Sequence, residues 1–324
     1  MMTYESLRKR PSAFQSLTGM SASAFDALYE VFAPAHGRRR SREKTTRRGG
    51  HRRQRRPGAG REYAHTDRDR LLMALVWLKV YPTYEVLGFL FSLNKSNARL
   101  NVEDVLVTLE TLTVFRFERP VKEREPTSSK EAVMDAFEGV RLVIDAKEQR
   151  IQRPSGVDEA GVSKQKPYYS GKKKAHTQKT QVAVAPDGTI EALSRSVPGG
   201  ANHDLTLLRE TKLLDRLKKE EEAMFDKGYV GIRKDYPSLR LHLPHKASKK
   251  HPLTEEQKAE NAVLSKYRIV VEHTNAQLNK FGALSQVYRH AREKHTRVVR
   301  VVAGLVNRQI AITPLKTYLT PSLC

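Results

Sequence analysis

The segment from Gly37 to Arg61 constrains this chain most, because it offers almost nothing that could enter a hydrophobic core. It contains eleven arginines, one lysine and five glycines, against a single acid, Glu43. Positive charges at this density repel one another in a compact state. The segment therefore predicts a disordered linker or arm over residues 37–62 that binds polyanions through counterion release. A linker that only adds solubility is the alternative interpretation.

The charge of the whole chain points in the same direction. Its 324 residues carry a formal net charge of +23, and the pI is about 10.1. This excess is larger than solubility requires and indicates a nucleic-acid partner. Charge does not separate DNA from RNA, so an RNA-bound structural protein of ribosomal type stays open at this point.

The cysteine content and the apolar runs bear on the compartment. The only cysteine is Cys324, which excludes a disulfide framework and favours a reducing compartment. The longest apolar run, LLMALVWL from Leu71, is too short to span a bilayer, and the first residues do not resemble a signal peptide. We expect an intracellular, cytoplasmic protein that is not inserted into a membrane.

Helical patterns lie on both sides of the basic segment. Apolar residues recur at helical spacing from Ser21 to Ala33, which predicts a short helix within an N-terminal helical segment over residues 1–36. A second pattern runs from Thr66 to Tyr81 and ends before Pro82. The chain is thus expected to be helical before and after the linker.

Two shorter helical patterns follow, separated by a break at Ser92-Leu93-Asn94. One begins at Thr83, and the other begins near Lys95 and runs to about Leu109. With the helix before them they predict an all-α helix-turn-helix module over residues 63–125. A three-helix module that only packs is the alternative. The side chains expected to bond phosphates and base edges from the recognition helix are Lys95, Ser96, Asn97 and Arg99.

Strand patterns replace helical ones from about Val140 onwards. Four of them, RLVIDAKEQRI, KTQVAVAP, TIEALSRSV and EEAMFDKGYV, are separated by glycine, proline and basic residues. A helix, DLTLLRETKLLDRLKK from Asp204, falls between the third and fourth strands, and another helix follows the fourth. The order predicts an α/β domain over residues 138–314, with a C-terminal tail over residues 315–324.

Two aspartates follow strand segments of this domain that are apolar enough to be buried. Asp145 follows Leu142-Val143-Ile144, and Asp226 follows Ala223-Met224-Phe225. A carboxylate in a core strand is unfavourable unless a cation compensates its charge. Carboxylates that converge from separate elements can hold the pair of Mg²⁺ or Mn²⁺ ions used in phosphoryl transfer. Each aspartate taken alone is equally consistent with a loop cap.

A third acid comes from a long helix predicted from Thr254 to Phe281. The helix opens with a capping box of Thr254 and Gln257 and ends at Gly282. Glu272 is the acid in a polar row along the edge of its apolar face, so it is the candidate third carboxylate. An exposed ion pair between Arg268 and Glu272 is the alternative. The polar row comprises Arg268, Glu272, Asn275 and Asn279.

Five motifs in this order resemble the catalytic domain of insertion-sequence transposases of the IS-five family, the bacterial relatives of Harbinger elements. They are VIDAKEQRIQRP, YYSGKKKAHTQKTQVAV, VPGGANHD, FDKGYVG and RIVVEHTNAQLNKFG. The upstream segment RRPGAGREYAHTDRDRLLMALVWLKVYPTYEVLGFLF is similar to the helix-turn-helix module of that family. The resemblance covers nearly the whole chain, and five ordered motifs are more specific than any single acid.

The resemblance implies an RNase H-like catalytic domain, in which Asp145, Asp226 and Glu272 form a triad that binds two Mg²⁺ or Mn²⁺ ions. The implied reaction cleaves the phosphodiester at each element end, and the freed 3′ hydroxyl then attacks target DNA; both steps are in-line displacements. The implied partners are double-stranded DNA, as terminal inverted repeats and as target. Pairing of two ends implies a homodimer or larger assembly, associated with the nucleoid of a prokaryote.

Several further residues are candidate contacts of the DNA or the triad. Arg268 matches the arginine of the family's tyrosine-arginine-glutamate-lysine signature and is expected to contact DNA, while Ser265 and Asn279 replace its tyrosine and lysine. The basic residues expected near the DNA backbone are Lys172, Lys173, Lys174 and His176. The residues that could assist the triad are His203 and Asp204, although Asn202 or Asp204 as a helix cap is an equal alternative.

Two rival functions stay open beside the transposase. One is a domesticated or non-mobile nuclease with the same fold. The other is an inactive DNA-binding regulator that keeps the fold without the chemistry. The presence of all three acids favours the enzyme.

Overall fold

The computed structural model describes residues 1–45, 65–112, 139–157, 159, 161–229, 231–248 and 252–312. The helices in these ranges are α1 (Tyr4–Arg8), α2 (Pro11–Thr18), α3 (Ala22–Thr45), α4 (Asp67–Val80), α5 (Tyr84–Phe91), α6 (Lys95–Leu112), α7 (Asp204–Thr211), α8 (Glu255–Asn279), α9 (Gly282–Ser285) and α10 (His295–Ile312). The strands are β1 (Val140–Arg150), β2 (Tyr169–Ser170), β3 (Ala175–Val184), β4 (Ile190–Leu193), β5 (Val197–Pro198), β6 (Glu222–Phe225) and β7 (Arg240–His242). The predicted mixed α/β class is confirmed.

The chain divides into two compact units that do not follow the predicted boundaries. The first comprises residues 1–114, 279–286 and 297–305, and the second comprises residues 115–278, 287–296 and 306–324. Two segments of the predicted domain over residues 138–314, residues 279–286 and 297–305, group with the first unit, and the domain bounds themselves stay a prediction. The segments predicted over residues 1–36 and 63–125 both belong to the first unit, except for residues 115–125.

Residues 279–286, which include α9, belong to the first unit because they pack against its N-terminal helices. Its first residue, Gly282, lies against α4, where an added Cβ would be only 2.9 Å from the carbonyl oxygen of Lys79. The side chain of Gln286 also donates a hydrogen bond to the carbonyl oxygen of Val80, at 3.2 Å. This close approach depends on the missing side chain of Gly282.

Helix α3 corrects the prediction for the basic segment. It continues through Thr45, so the part of the predicted disordered linker from Gly37 to Thr45 is helical. Two of its arginines meet acids from other helices: Arg39 pairs with Asp104, and Arg40 lies 3.7 Å from Asp67. Acids distant in sequence thus offset the repulsion that predicted disorder. The remainder of the predicted linker lies outside the described residues.

The predicted helices from Thr66 and Thr83 are confirmed, and in the structure each begins with a threonine cap. The Thr66 side chain accepts the backbone N–H of Asp69, and Thr83 accepts that of Val86. Such caps satisfy backbone donors that the helix leaves open and are each worth about 1 kcal/mol. They fix where α4 and α5 begin.

The second unit is built on a mixed sheet with strand order β2-β3-β1-β6-β7, and β4 and β5 pair with β3. Strand β1 is antiparallel to β3 on one side and parallel to β6 on the other, and β6 is parallel to β7. The short strands β2 and β7 were not predicted. One face of this sheet carries Leu142, Ile144 and Phe225, which pack with Leu208 of α7 in the core.

The helices of the second unit match the prediction in part. The capping box at the start of α8 is confirmed, because Thr254 and Gln257 exchange hydrogen bonds between side chain and backbone, each at 3.2 Å. Helix α7 ends at Thr211, much earlier than predicted, because Lys212 adopts the left-handed conformation. None of the helices in the described ranges is long and apolar enough to cross a membrane.

A buried histidine, the first residue of α10, belongs to the second unit and bonds to residues of that unit. His295 is 2% exposed, and its ring nitrogens hydrogen-bond to Gln149 at 2.8 Å and to Ser196 at 2.7 Å. Burial, and to a lesser extent the charge of Lys147, lowers the pKa of His295 to about 3. The folded chain therefore excludes a proton that the unfolded chain binds below the ordinary pKa of histidine.

We expect His295 to make the second unit less stable in mild acid. Stability is lost as pH falls from the unfolded pKa towards the folded one, so between pH 7 and pH 5 the loss should be about 2 kcal/mol. His295→Gln should reduce this loss in urea denaturation at the two pH values. His203→Gln, at an exposed histidine, is the control. Equal pH dependence in the native and His295→Gln proteins would contradict the assignment.

Candidate active site

Asp145 lies on β1, and Asp226 directly follows the neighbouring parallel strand β6, so the two acids lie side by side. Ile144 of β1 is paired with Phe225 of β6, and each aspartate is the next residue along its chain. Side chains alternate between the faces of a sheet. Since Ile144 and Phe225 enter the core on one face, the two aspartates are directed to the other. The structure thus brings together the two acids that the sequence predicted.

The environment of Asp145 is unfavourable for its charge. Burial raises the pKa of the Asp145 carboxyl, and the negative charges of Asp226 and Asp204 act in the same direction. The backbone N–H of Ala146, which donates to Asp145 at 2.8 Å, and the charge of Arg268 partly oppose this shift. A carboxyl group whose ionised form is under-compensated in this way attracts cations.

Helix α8 supplies two side chains to the aspartates. Arg268 lies 3.2 Å from Asp226, and the side chain of Asn275 donates a long hydrogen bond of 3.4 Å to Asp145. The residues are seven apart, so they share one side of the helix. The Oδ1 of Asn275 and the Nε of Arg268 are buried and have no hydrogen-bond partner in the part of the chain that the structure describes. Polar groups capable of holding a further ligand therefore face the aspartates.

Glu272 lies on the same side of α8 but is exposed. Among the described residues it forms no hydrogen bond or ion pair with Asp145 or Asp226, nor the predicted alternative pair with Arg268. No group of three Asp, Glu, His or Cys side chains in the described ranges is arranged to hold a metal ion. The structure therefore joins two members of the predicted triad and leaves the third at the surface.

Asp204 is the acid that the structure places near the aspartate pair. It is the first residue of α7, and its Oδ1 lies 2.8 Å from the Nζ of Lys179. The helix is preceded by His203, which is exposed and whose side chain makes no cap. The N-cap position is thus occupied by His203 and not by Asn202 or Asp204.

The basic residues predicted near the DNA occupy the turn between β2 and β3. Lys172, Lys173 and Lys174 are exposed, and His176 is half-buried in β3. Lys147, which the sequence did not single out, lies two residues after Asp145 and so on the same face of β1. Burial, followed by the charge of Lys173, lowers the pKa of Lys147 to about 8.

The predicted recognition helix is in the first unit. A tight turn joins α5 to α6: Ser92 is left-handed, and an added Cβ on Gly88 would lie 2.5 Å from the carbonyl oxygen of Leu93. Asn94 caps α6 by accepting the backbone N–H of Asn97 at 2.8 Å. The predicted DNA-contacting residues Lys95, Ser96, Asn97 and Arg99 are all exposed.

Carboxylates that converge from separate elements can hold the metal ions of phosphoryl-transfer enzymes, and Asp145 and Asp226 are such a pair. The chain belongs to the DDE superfamily endonucleases, whose family matches residues 144–307, about half of the chain. It is 29% identical over 249 residues to the "Probable transposase for insertion sequence element IS702" of Microchaete diplosiphon, which covers 75% of this chain and 81% of the relative.

Two solved structures of the Mos1 transposase also align with the chain at low similarity. The paired-end complex with left transposon end is 11% identical, with a TM-score of 0.22, and covers 97% of this chain and 99% of the other. The pre-cleavage transpososome is 12% identical, with a TM-score of 0.20, and covers 96% and 98%. Because these TM-scores are low, the fold is described from the strand order of this chain alone.

The surroundings of the two aspartates predict opposite effects on stability. Asp145→Asn removes a buried charge and should raise the Tm at pH 7 by about 2–4 °C, which corresponds to roughly 1 kcal/mol. Asp226→Asn breaks the contact with Arg268 and should leave the Tm unchanged or lower it. Thermal denaturation without metal ions measures both. A fall in Tm for Asp145→Asn would contradict the unfavourable burial.

Proposed function

We propose that this protein is a transposase that binds the terminal inverted repeats of an insertion sequence and catalyses metal-dependent DNA cleavage and strand transfer. The observation that carries the proposal is the side-by-side placement of Asp145 and Asp226, in a chain that belongs to the DDE superfamily endonucleases. The named relative is itself a probable transposase. Assignment to the IS-five family, with its Harbinger kinship, stays a prediction.

The sheet supports the RNase H-like fold that the resemblance implies. Its central strand β1 pairs antiparallel with β3 on one side and parallel with β6 on the other, and the next pairs outwards, β3 with β4 and β6 with β7, are antiparallel and parallel, respectively. In this arrangement the last residues of β6 lie beside the middle of β1, where Asp145 stands. Strand order thus brings two acids together that are distant in sequence.

The donors at the site fit a hard divalent cation such as Mg²⁺ or Mn²⁺. Such ions prefer oxygen ligands, and the two aspartates and the unpartnered Oδ1 of Asn275 supply only oxygen. Asp145 and Asp226 would hold the ions, and Glu272 would join them as the third ligand. A bound ion would lower the pKa of an attacking water and stabilise the charge that develops at phosphorus.

The residues around the aspartates have separate tasks in this proposal. Arg268 keeps the carboxylate of Asp226 in place through its ion pair, and Asn275 orients that of Asp145. Lys172, Lys173 and Lys174 hold the DNA backbone near the acids by charge. The helix α6 reads the inverted repeat from the first unit. Two DNA ends are cleaved together, so we infer a homodimer or larger assembly.

We expect cleavage to require all three proposed acids. The test uses a labelled duplex that carries the candidate element end, with Mg²⁺ or Mn²⁺, and compares native protein with Asp145→Asn, Asp226→Asn and Glu272→Gln. Each change should reduce the rate by at least about a hundredfold, because a ligand of the ions is lost. Glu256→Gln, an exposed acid in the first turn of the same helix, is the matched control.

The outcome for Glu272→Gln is decisive for the third acid. Glu272 is exposed, so its role requires that the side chain turn towards the aspartates when DNA and ions bind. Cleavage at the native rate in Glu272→Gln would remove this residue from the triad. Duplex binding without cleavage under any metal condition would favour the DNA-binding regulator.

We expect α6 to contribute to duplex binding through its exposed first turns. Arg99→Ala should weaken binding of the element end by about tenfold and lower the slope of log affinity against log salt by about 1, because one phosphate contact is lost. Lys9→Ala, at an exposed lysine of the same unit, is the control for charge alone. Equal binding by Arg99→Ala and native protein would favour a helical module that only packs.

A further inference from the structure

A buried group of charged side chains lies on the face of the sheet opposite Asp145. Glu148 and Lys179 are directly paired on β1 and β3, so they share a face, and Glu148 is three residues from Asp145 and therefore on the other face. Lys179 lies 3.5 Å from Glu148 and 2.8 Å from Asp204. It also donates a hydrogen bond of 2.8 Å to the carbonyl oxygen of Asn202. Lys179 is thus fixed by contacts in several directions.

The group is enclosed and its members are held in place. The side chains of Lys179 and Glu148 are 8% and 9% exposed, and that of Asp204 is 27% exposed. Thr177 donates a hydrogen bond of 3.0 Å to the second oxygen of Glu148. Buried charges are stable only where partners of opposite charge compensate them. Here the single positive charge of Lys179 compensates two acids, Glu148 and Asp204. The group keeps one negative charge in excess.

Asp204 connects this group to the aspartate pair. Its Oδ2 would lie 2.9 Å from a Cβ added to Gly228, which is the second residue after Asp226. The absence of a side chain at Gly228 therefore lets the carboxylate approach the turn that follows Asp226. The charge of Asp204 acts on Asp145 and on the buried Tyr229 of the same turn.

We propose that Asp204 is a positioning acid of the metal site, which does not bind the ion directly but strengthens divalent-cation binding at Asp145 and Asp226 through its charge, and that Lys179 holds it there. This inference rests on the proposed function. Lys179 has two opposed effects: it fixes Asp204, and its positive charge weakens cation binding. Because the backbone of Asp204 is also held at the start of α7, we expect the charge effect of Lys179 to be the larger one, so the two residues of this ion pair should change cation affinity in opposite directions.

The test measures binding of Mn²⁺ alone to the full chain without DNA, by calorimetric titration or by electron paramagnetic resonance of the free ion. Asp204→Asn should weaken Mn²⁺ binding by about fivefold, because a negative charge near the site is lost. Lys179→Gln should strengthen it by a similar factor. Glu256→Gln and Lys219→Gln make the same charge changes at exposed positions and should leave the affinity unchanged.

A pair that only stabilises the fold gives a different pattern. In that case Asp204→Asn and Lys179→Gln both weaken Mn²⁺ binding, since each breaks the same contact, and this result overturns the proposal. If Lys179→Gln does not fold, as judged by circular dichroism, the double variant Lys179→Gln with Asp204→Asn replaces it. Its opposing changes should cancel and give near-native affinity, whereas a loss as large as that of Asp204→Asn overturns the proposal.

Failure of the proposed function is visible in the same experiment. Asp145→Asn and Asp226→Asn should each abolish Mn²⁺ binding if these acids form the metal site. Binding that is indifferent to both changes would contradict the proposed function and the inference with it. Binding that depends on both but is unchanged in Asp204→Asn would overturn the inference alone.

Discussion

The charge of Asp145, held in the middle of a core strand, is the constraint on which the arrangement of the second unit depends. Strands pair with β1 on both sides, so solvent can stabilise this carboxylate only from the face of the sheet. The compensating groups must therefore come from outside the sheet, and Arg268 and Asn275 come from α8. Among the described residues, a buried polar atom of each of these side chains has no hydrogen-bond partner, so the compensation is incomplete. In the proposed function, this loss of stability accompanies the ability to bind a cation.

Because side chains alternate between the faces of the sheet, its charged residues fall into two groups. On one face, Asp145 and Asp226 are accessible to ligands. On the other, Lys179 and Asp204 are ordered by contacts within the protein. In the proposal, Asp204 on this second face keeps a fixed distance from Asp145 and Asp226, and substrate does not displace it. In the proposed arrangement, the accessible acids exchange partners while the enclosed ones set the local electrostatic potential.

The elements set by local chemistry were predictable from the sequence, and those set by distant contacts were not. The capped helices α4, α5 and α8 and the position of Asp145 after an apolar strand follow from residues close in the chain. The helical part of the basic segment does not, because Arg39 and Arg40 meet acids of other helices. At the site, periodicity grouped Glu272 with Asn275 on α8, but only tertiary packing decides that Asn275 is the one that reaches Asp145.

A cluster of acids is an unusual place for DNA to approach, since a phosphodiester and a carboxylate repel each other. In the proposed function, the net charge of +23 attracts DNA to the chain from a distance, whereas the charges of Asp145, Asp226 and Asp204 repel it. The proposal therefore assigns the holding of DNA to separate basic residues, Lys172 to Lys174, and the neutralisation of the acids to a cation. In the proposed function, binding and chemistry are thus divided between residues of opposite charge, and the requirement for a divalent ion follows from electrostatics before any step of the reaction is considered.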